Sequence, residues 1–178
     1  MKQREINIKS NDNTLFVTEQ CNNRCIMCCQ PPKRTHDIDS LYEQNIERIK
    51  QAPKNLQSIG ITGGEPTLLG YKLVELIQEI RKELPCTDIH LLSNGRAFKD
   101  SDFTKDIVEV GEDKLILGIP LHSDYAGDHD LIAGSRNAYT ETMKGLYNIA
   151  MQGGIIELRI VMNKLNFSRF LSMAKFIH

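Results

Sequence analysis

The strongest constraint in this sequence is its alternation of short β-branched runs with longer stretches of helical spacing. The strand candidates are TLFVTEQ (Thr14 to Gln20), SIGITGG (Ser58 to Gly64), DIHLLSNG (Asp88 to Gly95), KLILGIPL (Lys114 to Leu121) and IIELRIVMN (Ile155 to Asn163). Between the first two, Ser40 and Glu43 have capping-box spacing and open a helix with Tyr42, Ile46 and Ile49 on its apolar face. Leu73, Ile77, Ile80 and Leu84 mark a second helix. Tyr139, Met143, Leu146 and Ala150 mark another, which Gly153 and Gly154 end. Asp100 to Val110 is a weaker helix, and Phe167 to Ile177 closes the series.

Strands that alternate with helices of this length form βα units and a parallel sheet, so the fold class is α/β. Right-handed crossovers wind successive strands in order, giving a partial (β/α) barrel of about five βα units. A doubly wound sheet remains the alternative, because strand order is not legible in one sequence. In either case a ligand belongs at the C-terminal ends of the strands. The length, 178 residues, fits one domain covering residues 1–178. The sequence stops at MAKFIH with no glycine or proline stop signal, which predicts a C-terminally shortened core with its last strand left as an edge.

Lys and Arg number 22 against 23 Asp and Glu, so the basic excess typical of nucleic-acid binders is missing and no nucleic-acid partner is expected. No apolar run is long enough to span a bilayer, and MKQREINIKS lacks the apolar core of a secretory signal. The expected compartment is the cytoplasm, where thiols stay reduced. An odd total of five cysteines, four of them within nine residues, argues for a metal over a disulfide framework.

That cluster, CNNRCIMCCQ, directly follows the first strand and has the spacing Cys21-x3-Cys25-x2-Cys28. A closed zinc site takes four ligands, usually from two hooks. Only one hook is present, and completing the site would require Cys29, His36 or Cys86. Three thiolates also suit a four-iron cluster with one iron left open. The cysteines alone leave both readings standing. One βα unit later the second strand ends in GGEPT, where Gly63 and Gly64 permit close backbone approach to a ligand and Glu65 adds a carboxylate. By itself this is also an ordinary strand-to-helix turn with Pro66 at its start. Taken with the cysteines, the pair is much more specific.

The pairing of CNNRCIMC with ITGGEP resembles the radical S-adenosylmethionine (SAM) superfamily, over Thr14 to about Asn163. The resemblance implies a partial barrel of six βα units, one more than counted here. It implies that Cys21, Cys25 and Cys28 bind three irons of a 4Fe-4S cluster. SAM would chelate the fourth iron, with its amino group received by the Gly63-Gly64-Glu65 edge. The implied reaction is reductive cleavage of SAM to a deoxyadenosyl radical, which abstracts hydrogen from an unreactive C–H bond. Met27 stands where relatives carry an aromatic residue near the adenine, and a thioether can pack on a ring face. Ser93 and Asn94 resemble a turn that many members carry after the third strand. In GIPLHS, Pro120 and His122 stand where relatives carry a serine near the SAM ribose and an aspartate, and His122 is a candidate inward group. A lone histidine at a strand end is more often a hydrogen-bonded structural residue. DHDLIAGSRNAY resembles a loop in which Ala133 replaces an arginine that Arg136 could substitute. Arg159 is a candidate partner for the methionine carboxylate or a substrate carboxylate, with a buried salt bridge as its alternative. Cys29 is read as a bystander, and no second cysteine group is present for an auxiliary cluster.

Within the superfamily, TEQCNNRCIMCCQPP with SNGR and LHSDYAGDHDLIAG is most similar to the maturases of the His-Xaa-Ser system. That implies a ribosomally made peptide as substrate and an electron donor such as a flavodoxin or ferredoxin. The alternatives are a glycyl-radical-enzyme activase, a small-molecule enzyme of the queuosine-precursor type, and, from another class, a non-catalytic zinc- or cluster-binding module.

Overall fold

A computed structural model describes residues 5–10, 12–33 and 37–178. His36, which the zinc alternative invoked, lies outside the described residues. Five strands, β1 (Thr14–Phe16), β2 (Ser58–Thr62), β3 (Asp88–Leu92), β4 (Leu115–Pro120) and β5 (Ile155–Arg159), form one sheet in sequence order. Every neighbouring pair is parallel. A doubly wound sheet reverses direction from its first strand; this one does not, so the chain winds as part of a barrel.

Period-two patterning sets which side of the sheet is covered. Ile59, Ile61, Ile89, Leu91, Leu117 and Ile119 are buried and join Leu73, Ile77, Ile80, Ile107 and Ile149 of the helices in one core. Each such side chain contributes roughly 1.5–3 kcal/mol by leaving water. The alternate residues Thr62, His90 and Leu92 are only half-buried and belong to the opposite, concave face.

The helices are α1 (Ile38–Lys50), α2 (Tyr71–Glu83), α3 (Ser101–Gly111), α4 (Ala126–Ala133), α5 (Ala138–Met151) and α6 (Phe170–Ile177). Several expectations need correction. The capping box of Ser40 and Glu43 does not form, because α1 begins earlier, at Ile38, after Asp37. The Asp37 carboxylate instead accepts from the Glu19 backbone N–H at 2.7 Å and the Thr18 hydroxyl at 3.0 Å. The first half of the stretch expected as a loop from Asp128 is the end of α4, which closes on Gly134 in the left-handed conformation at φ 61°. The buried face of α5 is Ala138, Thr142, Gly145 and Ile149, one residue away from the expected stripe. A Cβ on Gly145 would lie 2.3 Å from the Gly95 carbonyl oxygen, so small residues face inward because two backbones meet there. The strands are shorter than expected, since their last residues turn into loops. The final helix is a tight turn at Phe167–Arg169 followed by α6.

The two outer strands differ. On β1, the Thr14 and Phe16 carbonyls accept from Arg48 at 3.2 Å and Asn45 at 2.9 Å, so side chains of α1 cover that edge. On β5, Ile155 and Arg159 are exposed. Among the described residues, no helix is long and apolar enough to cross a membrane.

Candidate cofactor site at the strand ends

The chain leaving β1 does not diverge from β2. The Val17 N–H donates to the Thr62 carbonyl at 2.9 Å, Gly64 to Thr18 at 2.7 Å and Glu65 to Gln20 at 2.7 Å. A Cβ on Gly63 would lie 2.5 Å from the Thr18 oxygen, and one on Gly64 2.1 Å from the Gln20 oxygen. The sequence reading gave these glycines to a ligand. Their immediate requirement is the chain's own backbone, which delivers Cys21 beside the end of β2.

Cys21, Cys25 and Cys28 line one cavity of ≈ 240 Å³ together with Gly63, Gly64 and Glu65. Ser93, Asn94 and Arg159 also border it, from the ends of β3 and β5. Met27 and His122 do not line this cavity. Cys29 borders a different one, with Phe16, Pro31 and Pro32. Burial, followed by repulsion from the Cys21 and Cys28 thiolates, pushes the Cys25 thiol up to about 11. Burial also raises Cys21, against a hydrogen bond from the Asn23 N–H at 3.4 Å. Gathered thiols of this kind give up their protons when a metal group offsets their charge.

Glu65 is buried, and its carboxylate is the hub of the site. Oε1 accepts from the Thr67 N–H at 3.1 Å, the Thr67 hydroxyl at 2.7 Å and the Ser93 hydroxyl at 2.7 Å. Oε2 accepts from the Asn94 N–H at 2.7 Å. Burial pushes its pKa up, against the hydrogen bonds from Asn94, Thr67 and Ser93. The Asn94 side chain donates to Asn22 at 2.6 Å, linking this turn to the cysteine loop.

Arg159 is half-exposed, and its Nε donates to Glu157 at 2.7 Å; the buried salt bridge is not formed. A Cβ on Gly118 would lie 3.2 Å from Arg159 Nε, so the guanidinium lies across β4 where that strand has no side chain. His122 is buried away from the cavity. Its N–H donates to Nδ1 of His129 at 3.2 Å, and the rings are 5.1 Å apart.

Thr67 and Arg96 are site-building residues that sequence reasoning passed over. Thr67 follows Pro66 in a tight turn (Pro66–Leu69), and Glu65 caps that turn, a pattern visible in GGEPT. Arg96 follows SNG directly, but its partners are dozens of positions away and leave no local signal.

A parallel (β/α) partial barrel with three cysteines after its first strand and Gly-Gly-Glu after its second defines an α/β protein built to hold a cofactor at its strand ends. The profile of the Radical SAM superfamily matches residues 15–177, and the chain belongs to that superfamily. Its members are enzymes that use a 4Fe-4S cluster and SAM. Among curated proteins, the chain is 36% identical over 83 residues to a GTP 3',8-cyclase of Petrotoga mobilis, covering 44% of this chain and 25% of that protein. Among solved structures, native anSMEcpe with AdoMet and a peptide bound shares the fold at TM-score 0.72 and 17% identity, covering 93% of this chain and 47% of that one. SuiB of Streptococcus suis bound to S-adenosylmethionine does so at TM-score 0.71 and 15% identity, covering 93% and 37%. The chain thus spans less than half the length of these relatives.

The donor set fits the cluster, which takes one thiolate per iron and needs no convergence of thiols on one point. Among the described residues, no three His, Cys, Asp or Glu side chains are grouped to hold a single metal ion.

Proposed function

We propose that this protein is a radical SAM enzyme whose 4Fe-4S cluster is held by Cys21, Cys25 and Cys28, and that it modifies a ribosomally made peptide. One observation carries the site: the three thiols and the Gly63-Gly64-Glu65 edge border the same cavity. When bound, the cluster and SAM supply one-electron cleavage of a sulfonium and the radical chemistry that follows.

The residues of the chain do the rest. The cysteine loop presents three thiols, Cys21, Cys25 and Cys28, which would hold the cluster beside the amino acid end of SAM. Glu65 places a buried carboxylate beside the thiols, and Ser93 and Asn94 hold it. Arg159 offers a guanidinium at the cavity wall, suited to a carboxylate of SAM or of the substrate. His122 falls to a structural role, since it is buried outside this cavity beside His129. Met27 is also off the cavity wall, so the adenine contact that the resemblance implied for it has no support in this cavity.

A peptide substrate is supported by the resemblance of the cysteine and SNGR segments to peptide maturases. The similarity to a GTP 3',8-cyclase favours a small-molecule substrate as the second reading. A flavodoxin or ferredoxin is the proposed electron donor. The test is anaerobic reconstitution with iron and sulfide, followed by reduction with SAM present. We expect deoxyadenosine and methionine well above a Cys25→Ala control; equal yields from the two proteins would sink the reading. A mass shift on a candidate peptide that needs both SAM and reductant separates the peptide reading from the small-molecule one.

A further inference from the structure

The cysteine loop is also held by groups that belong to neither motif. Arg96, in the tight turn Arg96–Lys99 after β3, has a side chain only 13% exposed. Its Nη1 donates to the Asn22 carbonyl at 2.9 Å, the Asn23 side-chain oxygen at 2.7 Å and the Ser135 hydroxyl at 2.8 Å. Its Nε donates to Glu141 on α5 at 2.6 Å. Glu141 is held in turn by Lys99, and these two cations keep its carboxyl below the usual range despite burial.

The main chain of the same loop completes α4. The last carbonyls of a helix have no partner within it. Here the Ala133 carbonyl accepts from the Arg24 N–H at 2.9 Å, and the Ile132 carbonyl from the Ile26 N–H at 3.0 Å. A Cβ on Gly134 would lie 2.2 Å from the Arg24 oxygen, so the helix end and the loop are in direct backbone contact. Asn23, directly before the first of these donors, is buried.

We propose that Arg96 is the positioning residue of the cysteine loop, clamping the main chain between Cys21 and Cys25 onto the ends of α4 and α5 before any metal is bound. The proposal rests on the reading of Cys21 and Cys25 as ligands only for its consequence; the bonds of the clamp involve none of the three thiols. A guanidinium can serve Glu141 through Nε and the loop through Nη1 at the same time. A lysine ammonium is a single point and cannot span both. Setting the thiols in advance spares the metal group the cost of ordering the loop.

Hydrogen exchange on the metal-free protein tests the clamp directly. We expect the Arg24 and Ile26 amides to be protected in the wild type. Arg96→Ala should speed their exchange about tenfold or more, as expected for loss of charged hydrogen bonds, and leave the β3 amide of Leu91 unchanged. Arg96→Lys should recover less than half of the protection on a logarithmic scale. After reconstitution, Arg96→Ala should release iron to a chelator several-fold faster than the wild type.

Unprotected Arg24 and Ile26 amides in the wild type would overturn the proposal. So would unchanged exchange in Arg96→Ala, full recovery in Arg96→Lys, or an equal acceleration at Leu91. If Arg96→Ala does not fold, Glu141→Ala removes the anchor behind Arg96 and must speed the same two amides about threefold; no change there also overturns the clamp. A wild type that shows the amide pattern but never takes up iron would refute the proposed function and leave the clamp standing.

Discussion

Asn94 donates its backbone N–H to Oε2 of Glu65 at 2.7 Å, joining the ends of β2 and β3 beyond the point where sheet pairing stops. Ser93 adds its hydroxyl to Oε1 at the same length, 2.7 Å. The acidic residue of GGEPT therefore has a structural duty independent of any cofactor: it satisfies the donors of a turn that in turn contacts the cysteine loop through Asn22.

That duty predicts that Glu65→Ala lowers stability before any effect on SAM is seen. Removing the acceptor leaves the Thr67 and Asn94 N–H groups and the Thr67 and Ser93 hydroxyls without it, at about 2–4 kcal/mol in total. Urea unfolding of the metal-free protein measures this as a lower midpoint with an unchanged slope. A midpoint equal to the wild type's would show that these bonds carry no net stability.

Gly64→Ala tests the close approach of the two strand-end segments. Its Cβ would sit 2.1 Å from the Gln20 carbonyl oxygen, which is main chain and has no rotamer to change. The expected loss is about 1–3 kcal/mol, comparable to overpacking in a core. Gly153→Ala is the contrasting control: nothing lies within 4 Å of its Cβ, and its cost is set by a φ of 75°. Thermal unfolding of both should show the larger fall for Gly64→Ala, together with weaker iron uptake that the control does not share.

Cys28 and Cys29 are neighbours in sequence but border different cavities. After anaerobic reconstitution, Cys29→Ala should retain iron and sulfide near the wild-type content. Cys28→Ala should lose most of the cluster. Iron and sulfide assays with the visible charge-transfer band check both, and equal retention by the two variants would contradict the assignment of the third ligand.

The histidine pair sets a pH dependence. Burial, then the adjacent His122, pushes His129 down to about 4, with Asp130 opposing. Its Nδ1 accepts the His122 N–H at 3.2 Å and so is unprotonated in the fold. An unfolded chain binds this proton near pH 6.5, while the folded chain resists it until about pH 4. The stability that depends on neutral His129 is thus complete above pH 6.5 and is lost as pH falls toward 4, by about 2 kcal/mol at pH 5. Burial lowers His122 as well, so it acts in the same direction. Urea midpoints at pH 7.5 and pH 5 should fall further apart in the wild type than in His129→Gln. A gap of the same size in both proteins would remove His129 as the cause.

Much of the fold was legible because hydrophobic period is a local property. Ile59 with Ile61 and Ile89 with Leu91 announce strands from their own neighbours, and both pairs are buried in the sheet. The period failed where packing selects small residues. Gly145 and Thr142 face the core of α5 because the Gly95 backbone comes too close for anything larger, while the bulkier Met143 and Leu146 suggested a stripe one residue over. It failed again on α4, whose eight residues bury only His129, Ile132 and Ala133.

The sequence by itself determined the alternating βα plan, the three spaced thiols and the Gly-Gly-Glu strand end, because each is written in consecutive residues. Only the tertiary structure decided the strand order, the separation of Cys29 from Cys28, and the turn of the two glycines toward their own backbone. It alone brought Arg96, Ser135 and Glu141 around Asn22 and Asn23. Those choices depend on which distant segments meet in space, and contact between remote segments leaves no periodic trace in either of them.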